Sequence, residues 1–239
     1  MKAIAVIPAR LASTRLPRKM LREIAGIPLV GLVYEAVRSS PMVAEVIIAT
    51  DSQEILAVSR QHNWNAQITS AQHRSGTERV HEISCSHVAD VYINVQGDEP
   101  LVRAEQIASL LQVMKTPEAE VGTLMTPAAA IDIPNPNAVK VVADRGGRAL
   151  YFSRATIPFD RDRSGSRYFK HLGLYAYRKR ALDRFVSLPE SELEKSERLE
   201  QLRFLDNGIP IYVGETPYDS IGVDTEEDLL RVVGLLEKR

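Results

Sequence analysis

The 239-residue chain has a single cysteine, Cys85, so no disulfide can form within it and its core alone must hold the fold, as suits a reducing compartment. The neighbours Ser84 and Ser86 supply no activating base, and Cys85 therefore reads as a structural residue packed like a small hydrophobe. No apolar run approaches the roughly 20 residues that span a bilayer. The N-terminus carries no signal-peptide cleavage pattern, so the expected compartment is the cytoplasm, without membrane insertion. Charge of one sign is missing as well: 30 Lys and Arg against 31 Asp and Glu leave a net −1, which gives no field for non-specific nucleic-acid binding. Neither GxGxxG nor GxxxxGK[ST] occurs, which removes motif support for a dinucleotide cofactor or a P-loop. There is no internal repeat and no low-complexity tract. His62, His73, His81 and His87 lack zinc-ligand spacing and a paired cysteine, and they receive no role.

What is present begins at the N-terminus. Ala3 to Ile7 is an apolar run bounded by Pro8, which suits a strand buried on both faces. Lys2, Arg10, Arg15, Arg18, Lys19 and Arg22 are the only ionisable side chains before Glu23, so the loop after that strand has a positive field its neighbours do not neutralise. In an open α/β sheet such a loop sits at the carboxyl edge, where ligands bind. It is either an anion site or a solvated basic loop. Next, Leu29, Leu32, Val33, Ala36 and Val37 give a helix with one apolar stripe, and EVIIAT at 45–50 a buried strand. Ser52 is placed to open a helix through Arg60. A strand near 65–69, a helix from Thr77 to about Cys85, a strand at 91–95, a helix at 104–115 and a strand at 121–126 continue the rhythm. The alternation predicts an α/β fold with a doubly wound, mostly parallel sheet.

At IDIPNPN, residues 131–137, the rhythm changes. AVKVVAD and RALYFSRATIPF, separated by Arg145, Gly146 and Gly147, read as a hairpin. DRDRSGSR at 160–167 reads as a mobile loop, FKHLGLYAYR at 169–178 as a strand, and 191–206 as one helix carrying Leu193, Leu199, Leu202 and Leu205. A strand at 209–213 precedes a last helix opened by a capping box of Thr225 and Asp228. The expected organisation is a nucleotide-binding core of 1–130 and 207–239, with a smaller α+β lobe of 131–206 inserted before the C-terminal elements.

Asp98 follows the 91–95 strand and should reach the same edge as the basic loop. Asp224, just before the last helix, supplies a second carboxylate if its loop folds over that edge. Magnesium takes oxygen ligands, often one or two carboxylates with substrate phosphates. An aspartate at a strand end or a helix start also serves as a turn residue or cap.

Taken together, PARLASTRLPRK, SGTER (75–79), VQGDEP (95–100), NPNAVKVV (135–142), YFSRATIP (151–158), HLGLYAYR (171–178), LEQLR (199–203) and GVDTEEDL (222–229) make the chain resemble the 3-deoxy-manno-octulosonate cytidylyltransferases from end to end. The resemblance implies a nucleotide-diphospho-sugar transferase-like fold. It also implies transfer of CMP from CTP to the anomeric 2-hydroxyl of the acidic sugar Kdo, with magnesium, for lipopolysaccharide biosynthesis, by a homodimer. Carried over by motif, Arg10, Arg15 and Lys19 hold the triphosphate, and Arg15, Lys19 and Asp98 are catalytic. Ser75, Gly76 and Thr77 frame the nucleotide. Asp98 and Asp224 are the metal ligands. Gln96, Arg154, His171, Tyr175, Glu200 and Gln201 contact the sugar. Other acidic sugars (8-amino-Kdo or sialic acid), a sugar 1-phosphate and a non-catalytic nucleotide sensor on the same fold are the competing readings.

Overall fold

The computed structural model describes residues 1–13 and 16–236. It divides into two compact units, 1–108 with 220–239, and 109–219. Strand β1 (Ala3–Ala9) is buried along nearly its whole length, as its apolar run requires. It continues through Pro8 in parallel register with Ala49. Its pairing with the strand on its other side has already ended at Val6, so a residue without an N–H is tolerated there. A single 3-10 turn at Lys19–Leu21 leads to a small antiparallel pair, β2 (Glu23–Ile24) and β3 (Ile27–Pro28). Helix α1 (Leu29–Arg38) buries Leu29, Val33 and Val37.

Strand β4 (Glu45–Thr50) matches its expected bounds, and helix α2 (Gln53–Gln61) starts where Ser52 Oγ accepts from the Ile55 N–H at 3.3 Å. Strand β5 (Ala66–Ile68), helix α3 (Gly76–Ser86), strand β6 (Val91–Asn94) and helix α4 (Ala104–Val113) follow. Within this unit the strand order is β6-β1-β4-β5, all parallel. On α3 the structure corrects the reading of Cys85. The residue is exposed, not packed, with its sulfur 3.9 Å from Nε2 of His81, one turn earlier on the same helix face.

The second unit contains β7 (Val121–Pro127), the hairpin β8 (Lys140–Ala143) and β9 (Ala149–Ser153), and β10 (Phe169–Tyr177). Helices α5 (Lys179–Ser187), α6 (Glu192–Glu197) and α7 (Gln201–Asp206) and strand β11 (Ile211–Glu215) complete it. β11 pairs with β7 in parallel, whereas β10 pairs antiparallel with both β7 and β8. The hairpin turns at Gly147, whose φ of +79° favours glycine. The 160–167 segment folds around Asp160, whose carboxylate accepts from the N–H groups of Ser164, Gly165 and Ser166 at 2.9 to 3.0 Å. Those donors hold the Asp160 carboxyl down to about 2.

Two features of this unit differ from the expectation. Helix α5 was not anticipated, because KRALDRFVS offers only Ala181, Leu182 and Phe185 as a buried stripe. The single helix expected over 191–206 is two, broken at Arg198, which adopts a left-handed φ of 53°. The break has a tertiary cause. The Arg154 guanidinium takes the carbonyls of Glu197 and Arg198, acceptors that a continuous helix would need for its own ladder.

The chain returns to the first unit with α8 (Glu226–Leu236). The expected cap is present in reciprocal form: Asp228 Oδ2 accepts from the Thr225 N–H at 2.9 Å, and Thr225 Oγ1 accepts from the Asp228 N–H at 3.2 Å. Among the described residues no helix is long and apolar enough to cross a membrane.

Candidate active site

Lys19, Asp98 and Asp224 lie far apart in sequence, and an apolar cluster brings their segments together. Leu16 from the basic loop, Ile24 of β2, Leu101 from the segment after β6, Val223 before α8 and Leu229 and Val232 within it form one buried cluster with Leu29. Main chain fastens the arrangement, since the Val223 N–H donates to the Asp98 carbonyl at 2.8 Å. Between them Gly97 packs so closely that an added Cβ would lie 3.0 Å from the Pro8 carbonyl oxygen and 3.0 Å from the Met20 sulfur. The QGD turn therefore needs glycine for its close approach.

On this platform Lys19 Nζ donates to Asp98 Oδ2 at 2.5 Å and to Asp224 Oδ1 at 3.0 Å. The lysine is buried while both carboxylates are partly open. Burial alone would lower the Lys19 pKa, but the charge of Asp98 and the hydrogen bonds to both carboxylates outweigh it and raise the pKa, so the ammonium stays charged at neutral pH. One cation thus serves two anions. Among the described residues no group of three His, Cys, Asp or Glu side chains is arranged to hold a metal ion. Two hard-oxygen carboxylates are nonetheless the donor set magnesium uses when substrate phosphates complete its shell, so the residues fit that ion.

Arg10, at the end of β1, donates through Nη2 to the His73 carbonyl. The His73 ring in turn lies 2.5 Å from the Glu82 carboxylate. Ser75 caps α3, its hydroxyl accepting from the Glu78 N–H at 3.2 Å, so Gly76 and Thr77 form the first turn of that helix. Gln96 is half-buried on the turn that carries Asp98. Arg15 lies outside the described residues. Sequence reading had missed Arg79, fully buried, which donates to Thr69 Oγ1 at 2.6 Å and to Asp51 Oδ2 at 2.5 Å. It pins Asp51 at the carboxyl end of β4, and its only local signal was a charged residue on the apolar face of α3.

Apart from Gln96, which belongs to the first unit, the acceptor candidates form a second group inside the second unit. His171 and Tyr175 do share a face of β10, with ring centroids 5.3 Å apart. An irregularity between Leu172 and Tyr175 lies between them, but it inserts an even number of residues and preserves the facing. His171 Nε2 lies 3.0 Å from Thr123 Oγ1, which also lies 2.9 Å from the Leu174 carbonyl. The hydroxyl has one proton and two acceptor sites. Spending the proton on the carbonyl leaves Oγ1 to accept from a protonated Nε2, a tautomer assigned from this network.

Burial lowers the His171 pKa to about 3, so the ring is neutral at physiological pH. An unfolded histidine titrates near 6.5, so between about pH 6.5 and 3 only the unfolded chain takes up the proton and stability falls with pH. The expected loss reaches ~2 kcal/mol at pH 5. Urea unfolding at pH 7 and pH 5 should show it in the wild type and not in His171→Leu. Equal pH slopes for the two would contradict a buried neutral ring.

Arg154 is extensively engaged. Its Nε donates to the Glu197 carbonyl at 2.7 Å and Nη1 to the Pro136 carbonyl at 3.0 Å, while the Glu197 carboxylate accepts its backbone N–H at 2.9 Å. Glu200 and Gln201 begin α7 immediately after the Arg198 break, with Gln201 buried. The Glu194 to Arg203 ion pair, two hydrogen bonds of 2.7 and 2.6 Å, secures α6 against α7. No local pattern signals that pair or the 43-residue reach from Arg154 to Glu197.

A cytidylyltransferase family profile matches residues 4–213. The 3-deoxy-manno-octulosonate cytidylyltransferase of Koribacter versatilis is 64% identical over 239 residues, covering 100% of this chain and 91% of that protein. The protein of the same name from Acidobacterium capsulatum is 54% identical, covering 100% of this chain and 98% of its own. A solved structure of CMP:2-keto-3-deoxy-manno-octonic acid synthetase complexed with CTP superposes with a TM-score of 0.96 at 42% identity, over 100% of this chain and 99% of that one. These likenesses bear out the resemblance and the α/β fold with its mostly parallel sheet: the chain belongs to the 3-deoxy-manno-octulosonate cytidylyltransferase family.

Proposed function

We propose that the protein transfers CMP from CTP to the anomeric 2-hydroxyl of Kdo, giving CMP-Kdo and pyrophosphate for lipopolysaccharide assembly. The observation that carries the mechanism is the convergence of Asp98 and Asp224 on the Lys19 ammonium at 2.5 and 3.0 Å. In the reaction the acceptor oxygen bonds to the α-phosphorus, and the bond from that phosphorus to the oxygen bridging to the β-phosphate breaks. The hydroxyl proton passes to solvent and pyrophosphate departs with the electron pair.

Asp98 and Asp224 would hold a magnesium ion. When bound, it supplies neutralisation of the phosphate charge. Lys19, Arg10 and Arg15 meet the triphosphate. Lys19 exchanges its carboxylate partners for phosphate oxygens and stays charged as negative charge builds on the leaving pyrophosphate. Ser75, Gly76 and Thr77, at the start of an 11-residue helix, frame the nucleotide, and their N–H groups suit an anion or an electronegative edge.

For the acceptor, Arg154 pairs with the sugar carboxylate, and Gln96, His171, Tyr175, Glu200 and Gln201 hydrogen-bond its hydroxyls. With a pKa of about 3, His171 acts as a neutral hydrogen-bonding group rather than as a base at pH 7. In this reading residues 1–130 and 207–239 serve the nucleotide and 131–206 the sugar and a homodimer contact, in the cytoplasm.

Pyrophosphate release from CTP and magnesium tests the reading when Kdo, 8-amino-Kdo, N-acetylneuraminate and a sugar 1-phosphate are compared as acceptors. Kdo should give the highest kcat/KM. Preference for another acceptor would reassign the substrate, and CTP binding without release on any of them would leave a nucleotide sensor.

A further inference from the structure

Lys140 stands in the middle of an apolar run, AVKVVA, and is 0% exposed. A leucine or methionine would fill such a place without the several kcal/mol that burying an unpaired charge costs. No carboxylate among the described residues lies within ion-pair distance of it, and the charges of Asp132 and Glu197 act on it only from further away. Instead its Nζ donates to the carbonyls of Asn135 at 2.7 Å, Ala138 at 2.5 Å and Arg154 at 2.8 Å. An ammonium has three donors, and all of them are spent on main chain. The lysine therefore ties the 135–138 loop to the residue that ends the hairpin.

The Arg154 side chain fastens the same loop from its other side, through the Pro136 carbonyl at 3.0 Å, and reaches the Glu197 carbonyl at 2.7 Å and that of Arg198 at 3.5 Å. A guanidinium has five N–H donors. These contacts use Nε and one N–H on each terminal nitrogen, which leaves one N–H on each. Such a pair matches the two oxygens of a carboxylate.

We propose that Lys140 is a positioning residue for acceptor recognition, its buried ammonium locking residues 135–138 and 154 so that the Arg154 fork is presented already oriented to the carboxylate of an acidic sugar. The proposal rests on the reading that Arg154 meets the acceptor. It deepens that reading by naming what holds the arginine: a cation whose hydrogen bonds all go to main-chain carbonyls, at a place where the local pattern asks for an apolar residue. The same knot sets the Arg198 break and so the start of α7, where Glu200 and Gln201 stand.

The test is steady-state kinetics of the full chain with CTP, magnesium and Kdo for wild type, Lys140→Met, Arg154→Ala and the double variant, with thermal melts of each. Lys140→Met should raise the KM for Kdo about tenfold or more and leave the KM for CTP within about twofold. In the Arg154→Ala background it should add nothing to the KM for Kdo, because it acts through that side chain. Pro136→Gly loosens the same loop from an exposed position and should raise the KM for Kdo selectively even if Lys140→Met does not fold. Unchanged KM for Kdo in Pro136→Gly and in any folded Lys140→Met, equal rises for both substrates, or additive effects of the two substitutions would overturn the role of Lys140. Wild-type protein that releases no pyrophosphate with any acidic sugar would overturn the functional reading, and this proposal with it.

Discussion

Asp98→Asn is expected to slow pyrophosphate release by about a hundredfold or more, ~2.7 kcal/mol of transition-state stabilisation, while the protein stays folded. The fold survives because Asp98 is placed by main chain and by its neighbours: the Val223 N–H on its carbonyl, buried Leu101 and the close packing of Gly97. None of these uses the carboxylate. Lys19 keeps Asp224 as a partner, so the ammonium is not stranded, and the melting temperature should fall by no more than a few degrees.

The rate suffers because an amide carries no charge. In the proposed mechanism it is a poor replacement for an anionic magnesium ligand, and it leaves Asp224 as the one carboxylate partner of Lys19, with a changed preference between carboxylate and phosphate. Pyrophosphate release at saturating CTP and Kdo, measured beside a thermal melt, separates the two effects. A folded Asp98→Asn protein with near-normal turnover at ordinary magnesium would remove Asp98 from the machinery.

Gly31→Ala should lower the melting temperature by about 6 to 12 °C, the consequence of roughly 3 kcal/mol. The sign is the informative part. In an exposed helix interior the same change gains about 1 kcal/mol, because alanine loses less backbone freedom than glycine. Here an added Cβ would lie 1.9 Å from Cη2 and 2.4 Å from Cζ2 of Trp64. The indole is not free to move aside. Its Nε1 donates to Glu35 at 2.9 Å, its face stacks on His62 at a 4.3 Å centroid distance, and its other neighbour is Tyr34 at 5.9 Å. Scanning calorimetry decides the matter, and an unchanged or raised midpoint would show that the ring yields at little cost. The effect matters for the site because Leu29 of the same helix lies in the apolar cluster under Lys19, Asp98 and Asp224.

Much of the first unit was legible because local signals and tertiary demands agree there. β4 holds the apolar run Val46 to Ala49 and is followed by the capping Ser52, α1 carries one stripe, and Thr225 with Asp228 opens α8 as its spacing implied. The approach of Asp98 to the basic loop followed from strand order, since a residue just past a parallel strand has little choice of edge. What was hidden depended on distant partners. The break at Arg198 is imposed by Arg154, and α6 taken alone has nothing to stop it. Lys140 interrupts an apolar run, but its carbonyl partners include Arg154, which only the hairpin brings near. Cys85 was misplaced because its type suggests burial, whereas the buried residues of α3 are Thr77, Arg79, Val80, Ile83 and Ser84. The position on the helix, not the residue type, decides exposure.

We propose that Asp98, Asp224 and the basic loop bring CTP to reaction with an acidic sugar, and phosphorus NMR of the reaction mixture follows every phosphate through that reaction. With CTP, magnesium and Kdo, the triphosphate resonances should be replaced in equal amounts by pyrophosphate and by a phosphodiester joined to the sugar. Loss of CTP to free CMP and pyrophosphate, or an unchanged triphosphate spectrum in the presence of folded protein, would rule this reaction out.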